Sequence, residues 1–161
     1  MKRKNWIAIV AVAQNGIIGR DNTLPWRIKA DMDWYLSQTR GQIIVCGRKT
    51  LQSIKTLWPE NEYFVLTRDE TYQPPAENVQ VIHDITEIPD TDTRGRKIFI
   101  CGGAEVYAAC LPLCQYLYLT TVKKDYAGDA YFPAYKEYFT LEKTQYEDDE
   151  ILIQIFKRNE T

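Results

Sequence analysis

The chain has a single histidine, His83. Its four cysteines, Cys46, Cys101, Cys110 and Cys114, form no C-x-x-C pair. A zinc site, which needs several such ligands close together, is therefore not expected. A long apolar run is also missing, and with it any segment able to span a bilayer as a helix. Neither sign of charge dominates: 20 Lys and Arg face 22 Asp and Glu, a net charge of -2. No broad basic surface suggests a nucleic-acid partner. There is no internal repeat, no low-complexity segment and no linker, and no G-x-G-x-x-G, so the ordinary dinucleotide fingerprint is absent.

What is present is ordinary globular composition. The 161 residues are 45% hydrophobic and 26% charged, enough for one domain, 1–161, with a sizeable core. The N-terminus needs a decision. Basic residues at 2–4 precede the apolar run 6–13, which has the outline of a secretory leader with an Ala-Val-Ala cleavage site. The run is short for that role. Its β-branched and alanine residues lead straight into Gln14-Asn15-Gly16, which suits a buried central strand better. Reduced, mostly buried thiols in a cytoplasmic protein are the expectation.

Hydrophobic patterning places strands at about 5–13, 42–46, 63–66, 79–82, 97–101, 116–122, 139–146 and 151–157. Helices are expected near 29–39, 50–56 and 104–111, with a frayed one within 84–94. A glycine-bearing loop covers 14–28, and a polar loop covers 69–78. Strands alternating with helices predict a parallel central sheet covered on both faces. The strand-rich tail predicts an antiparallel edge.

Chemistry concentrates in two kinds of place. In Leu24-Pro25-Trp26 through Asp31-Met32-Asp33-Trp34-Tyr35, a carboxylate sits in the first turn of a helix with aromatic rings three and four residues later. Most acids at a helix start only complement its dipole. Periodicity does not choose Asp31 over Asp33, since both flank the stripe Met32, Tyr35, Leu36, Thr39. The second kind is a strand end that offers anion donors. Gly47-Arg48-Lys49-Thr50 and Gly102-Gly103 each open a helix, and Thr67-Arg68 follows a third strand. In open α/β sheets ligands bind outside the carboxyl ends of strands, and these groups together suit a pyrophosphate plus one further phosphate.

The order and spacing of these motifs resemble dihydrofolate reductases over almost the whole chain. The residues that carry the likeness are Ile18-Gly19 with Leu24-Pro25-Trp26, Ala30-Asp31, Gly47-Arg48-Lys49-Thr50, Leu66-Thr67-Arg68, Cys101-Gly102-Gly103 with Val106-Tyr107, Leu119-Thr120, and Gly128-Asp129 with Phe132-Pro133. The resemblance implies an α/β fold with a mostly parallel eight-stranded sheet and an antiparallel C-terminal edge strand. It implies hydride transfer from NADPH to C6 of dihydrofolate, with protonation at N5. A monomer with small-molecule partners is the corresponding expectation, with neither nucleic acid nor membrane involved.

Residue roles follow from the resemblance position by position. Asp31 is the acid of the pterin pocket, oriented by Thr120, with a pKa raised by burial. Trp26 helps to hold a water near it, and Leu24 lies in a mobile loop that closes over the nicotinamide. Ile9, Val10, Met32, Tyr35, Ile54 and Cys101 line the substrate pocket. Tyr107 sits near the nicotinamide and the carboxylate. The cofactor falls to Ala11, Ile18 and Gly19 on one side. Gly47, Arg48, Lys49, Thr50, Thr67 and Arg68 also hold it, with Arg68 at the 2′-phosphate. Gly102, Gly103, Glu105 and Val106 complete the set. Gly128 and Asp129 lie on a loop that bonds to the mobile loop.

One departure stands out. The family generally places an arginine where this chain has Asn61, between Glu60 and Glu62; that arginine grips the α-carboxylate of the folate glutamate. An amide gives one neutral hydrogen bond in place of a charged fork. Lys55 is the nearest cation along the chain. Asn61 therefore raises a second expectation, a reductase of a related dihydropterin that lacks the glutamate tail.

Overall fold

The computed structural model describes residues 3–19, 24–92 and 94–160. Continuous apolar runs form the strands at the centre, where both faces are covered. β1 (Trp6–Ala13) is the clearest case: seven of its eight residues are buried. It lies between β6 (Ile98–Ile100) and β7 (Tyr116–Val122), parallel to both. The N-terminal apolar run is thus an inner strand of the sheet.

The eight-stranded sheet has the order β5-β4-β3-β6-β1-β7-β10-β9. β3 (Ile43–Gly47), β4 (Glu62–Leu66) and β5 (Val79–Ile82) continue the parallel half. β10 (Ile151–Arg158) pairs antiparallel with β7, and β9 (Phe139–Glu147) antiparallel with β10. Every residue of β9 but Phe139 is exposed, as expected of an edge strand with one open face. The expected mixed architecture with a late antiparallel edge is the one observed.

Helix α1 (Lys29–Thr39) lies where the periodicity put it. Helix α2 (Arg48–Ser53) starts directly after β3, two residues earlier than expected, and stops at Ser53. Helix α3 (Ala104–Cys110) follows the Gly-Gly pair and passes into a short 3₁₀ turn at Leu111–Leu113. Within 84–94 the described residues hold one 3₁₀ turn, Ile85–Glu87, closed by a reciprocal capping box between Asp84 and Glu87. Pro89 follows and cannot continue a helix.

Two short strands were hidden inside expected loops. β2 (Ile17–Gly19) pairs with β8 (Ala130–Tyr131) as a separate ribbon. Each is too short to show a period. Gly128 makes the contact possible: a Cβ there would stand 2.4 Å from the Gly19 carbonyl oxygen. The backbone N–H of Asp129 also donates to that carbonyl, at 3.1 Å. The loop at 128–129 is therefore fastened to the start of the loop that leads to Leu24. Residues 20–23 of that loop lie outside the described residues.

Candidate active site

Alternation along β1 splits its side chains between two faces. Val10 joins the main core with Val45, Val106 and Tyr107, whereas Ile9 packs with Phe99 beside Trp34, Tyr35 and Cys101. Of the two candidate pocket residues on this strand, only Ile9 reaches the α1 side. The Val10 side chain is turned to the opposite face, a correction forced by the pleat.

The helix resolves the two acids. Asp33 points to solvent and pairs with Lys29 at 2.6 Å, both side chains more than half exposed. Asp31 is half-buried, and desolvation raises its pKa above the usual carboxylate value. Thr120 opposes that rise by hydrogen bonding toward the ionised form, and the nearby Trp26 indole N–H, without a direct bond, favours that form too. Thr120 is 1% exposed and stands on β7 in register with Ala11 and Ile153. The indole N–H of Trp26 is buried and has no direct hydrogen-bond acceptor. It therefore suits a water bridging to the carboxylate. Tyr126 holds the Trp26 ring in place, with centroids 5.1 Å apart.

Around this acid the walls are apolar but not inert. Tyr107 is buried on α3 and donates its hydroxyl to the Ile9 carbonyl at 2.6 Å. Its ring packs edge-on against Phe132 at 5.2 Å. Burial holds the phenol far above its normal pKa, and the nearby Asp31 charge adds to this. Tyr35 lies beside Cys101, whose thiol donates to the Phe99 carbonyl, and burial pushes that thiol up to about 12. Cys101 is thus a neutral wall residue rather than a reactive thiolate. Ile54 and Cys101 both pack against the buried cluster of Ile44, Leu51 and Val65, and Met32 and Leu24 are exposed, each at 48%.

A second region lies at the carboxyl ends of the parallel strands. Gly47 donates its N–H to the Gly102 carbonyl at 2.8 Å, which joins the ends of β3 and β6. Gly102 has φ +102, and a Cβ there would stand 2.9 Å from the Tyr107 ring. Only glycine fits this position. The Thr50 hydroxyl lies 3.5 Å from where a Gly103 Cβ would be, and Val106 lies at the same distance from that of Gly47. This is a narrow backbone cradle with a hydroxyl on its rim. Arg48, Lys49, Thr67 and Arg68 stand at the same strand ends, and neither Arg48 nor Arg68 has an ion pair or side-chain hydrogen bond among the described residues. Ile18 and Gly19 lie on β2, Ala11 is half-buried near the end of β1, and Glu105 is exposed in the first turn of α3.

Asn61 is not a ligand contact. It is 3% exposed, and both ends of its amide are in use: the nitrogen donates to the Thr39 carbonyl and the oxygen accepts from the Gly41 N–H, each at 2.8 Å. It pins the end of α1 to the start of β4. Its amide is spent on the frame, so it does not stand in for the arginine of the family; the tail-less alternative is disfavoured by the matches to dihydrofolate reductases given below. Tyr126 and Phe132, which brace Trp26 and Tyr107, were not picked out as site residues. The long separations in sequence, 100 residues from Trp26 to Tyr126, left no local pattern to find.

The family description "Dihydrofolate reductase" matches residues 5–157. The chain belongs to the dihydrofolate reductase family. The dihydrofolate reductase of Lactococcus lactis is 37% identical over 130 residues, spanning 80% of this chain and 77% of that protein. That of Staphylococcus haemolyticus is 34% identical over 125 residues, spanning 78% and 74%. A solved dihydrofolate reductase from Enterococcus faecalis, complexed with NADP(H) and RAB-propyl, superposes with a TM-score of 0.83 at 26% identity, covering 99% of this chain and 100% of that one.

Proposed function

We infer that this chain reduces 7,8-dihydrofolate to tetrahydrofolate, with NADPH as reductant. The observation that carries the assignment of roles is a lone half-buried carboxylate, Asp31, set among apolar walls and next to a glycine cradle at the strand ends. NADPH, when bound, supplies the hydride for C6.

The residues present fit both molecules. Asp31 accepts two hydrogen bonds from the pterin amino group and ring N–H, a bidentate match for one carboxylate. Burial raises its pKa above the usual carboxylate value, the direction that favours supply of the proton the reaction needs at N5. Thr120 fixes the carboxylate orientation. Trp26 aims its free N–H at the same place and holds the water through which a proton moves. Ile9, Met32, Tyr35, Ile54 and Cys101 exclude other water from the pterin and aryl rings. Tyr107, locked onto the Ile9 carbonyl, forms the wall between the pterin and the nicotinamide.

On the cofactor side, Gly102 and Gly103 let the backbone approach closely, and Thr50, Arg48 and Lys49 bind the pyrophosphate. Arg68, with Thr67, reads the 2′-phosphate. Ala11, Ile18 and Gly19 meet the nicotinamide ribose side, and Glu105 and Val106 flank the cradle. A monomer acting in the cytoplasm completes the reading; no helix among the described residues is long and apolar enough to cross a membrane. The test is oxidation of NADPH and of NADH by the purified chain with dihydrofolate, comparing wild type with Asp31→Asn and Asp33→Asn. Turnover that prefers NADPH and collapses in Asp31→Asn alone is expected. Equal behaviour of the two variants overturns the assignment of Asp31.

A further inference from the structure

Dihydrofolate ends in a glutamate, so a site that takes it needs a cation away from Asp31. Position 61 does not supply one: Asn61 is neutral, buried and spent on the frame. What its amide holds are the two neighbours of an arginine. The nitrogen donates to the Thr39 carbonyl and the oxygen accepts from the Gly41 N–H. Arg40 therefore leaves the end of α1 directly beside Asn61, and its side chain crosses to the segment between α2 and β4. There the guanidinium carbon lies 4.0 Å from the centre of a Trp58 ring, and Nε donates to Glu60 at 2.6 Å.

Trp58 is a fixed platform. Its backbone N–H donates to the Tyr63 hydroxyl at 3.2 Å. Its carbonyl accepts from the Asn61 N–H at 3.1 Å and from the Asn78 side chain at 3.0 Å. A guanidinium stacked on that ring and tied at Nε presents its remaining edge, Nη1 and Nη2, in one orientation. Neither of these nitrogens has a partner among the described residues. Two parallel N–H groups match one carboxylate. The pair with Glu60 does not account for this by itself, because an exposed pair contributes little and here leaves the outer edge of the fork open. Place along the helix agrees. Tyr35 and Cys101 pack on the cluster of Ile9 and Phe99, and Ile54, Leu57 and Cys101 on that of Ile44 and Leu51. The apolar walls thus run from α1 to the segment after α2, and Arg40 on Trp58 bridges the same two elements. Asp31 is in the first turn of α1 and Arg40 is its C-cap, nine residues on, about 13.5 Å of helix rise. A pterin bicycle, its methylene-amine link and a benzoyl ring cover a length of that order.

We propose that Arg40, stacked on Trp58 and tied to Glu60, is the residue of this chain that binds a carboxylate of the substrate's glutamate tail, so that the charge absent from position 61 is supplied from the end of α1. The proposal rests on the reading of dihydrofolate as substrate. It makes Arg40 a specificity residue: it distinguishes a glutamate-tailed dihydropterin from a bare one and takes no part in the hydride or proton step. Glu60 orients the guanidinium through Nε and also competes with the incoming carboxylate for its charge. Lys55, the nearest cation along the chain, is exposed and has no ion pair or hydrogen bond among the described residues to orient it. A point charge on a free stem offers no fork.

The test measures KM and kcat at saturating NADPH for 7,8-dihydrofolate and for 6-methyl-7,8-dihydropterin, which has the ring system and no tail. Arg40→Gln should raise KM for dihydrofolate about threefold to tenfold, hold kcat within about twofold, and leave KM for the tail-less dihydropterin unchanged. Glu60→Gln breaks the same ion pair but keeps the fork. There KM for dihydrofolate should fall about twofold, because a competing charge is gone while the amide oxygen still accepts from Nε. An equal rise of KM in both variants shows that the pair only supports the frame, and overturns the proposal. An unchanged KM in Arg40→Gln, a rise shared by both substrates, or a rise found in Lys55→Gln instead also overturns it. Failure of the underlying reading looks different: the wild type would then oxidise no NADPH with dihydrofolate.

Discussion

The two ends of the site solve opposite problems. Around Asp31 the chain buries one charge among rings and aliphatic walls, so the chemistry depends on a carboxylate that water reaches poorly. At the ends of β3, β4 and β5 it leaves cations in the open, with affinity coming from charge and from backbone that approaches closely. The first arrangement suits the tuning of a proton, the second the recognition of phosphate proposed for it. A buried charge costs stability when unpaired, whereas exposed cations cost little and are screened by salt. Catalysis should therefore be sensitive to single atoms on the α1 side, and cofactor choice to single charges on the other.

The sharpest test of that contrast is Asp31→Asn. It keeps the shape and removes the exchangeable proton and one acceptor. kcat at neutral pH should fall about 10²-fold or more, with the Kd for NADPH nearly unchanged. The same variant should raise Tm. The folded-state pKa of Asp31 is raised above 3.8 by burial, so its charged form destabilises the fold at pH values above that raised pKa. The stability gain of the variant should be full there and vanish as pH falls toward the unfolded carboxyl value. Calorimetry of both proteins across acid and neutral pH checks the sign; a constant Tm difference would show that Asp31 is not desolvated.

Asn61→Ala separates framework from site. Two hydrogen bonds to buried backbone are lost, and stability should drop by about 2–4 kcal/mol in urea unfolding. If Asn61 were instead a substrate contact, KM for dihydrofolate would move more than the unfolding midpoint.

On the cofactor side, Arg68→Ala should weaken NADPH about tenfold to a hundredfold and leave NADH almost unchanged. Raising the salt concentration should erode the NADPH advantage of the wild type and leave the Asp31-dependent step in place. The smallest effect belongs to Asp33→Asn. Its pair with Lys29 is exposed, and stability should change by no more than about 0.5 kcal/mol. A larger loss, or a fall in kcat, would erase the distinction between the two acids.

Much of the frame was legible along the chain. Strands β5 and β7 have the limits that their apolar patterns gave, and helix α1 also has its expected limits although Thr39 is its one buried residue. β2 and β8 were not legible: three and two residues long, they exist because Gly128 lets one backbone touch another. The 84–94 segment shrank to a single 3₁₀ turn because a capping box and Pro89 close it locally.

The sequence by itself determined the alternation of strands and helices, the glycine pair that opens α3, and the order of motifs that marks the family. Those properties are local or depend only on order. The tertiary structure decided which of two acids two residues apart is desolvated, that the amide of Asn61 is consumed by Thr39 and Gly41, and that His83 is tied to Thr67. Each of these depends on partners brought together by the parallel sheet, 16 residues apart for His83 and 22 for Asn61. Burial and hydrogen bonding are properties of that assembly, not of any segment read alone.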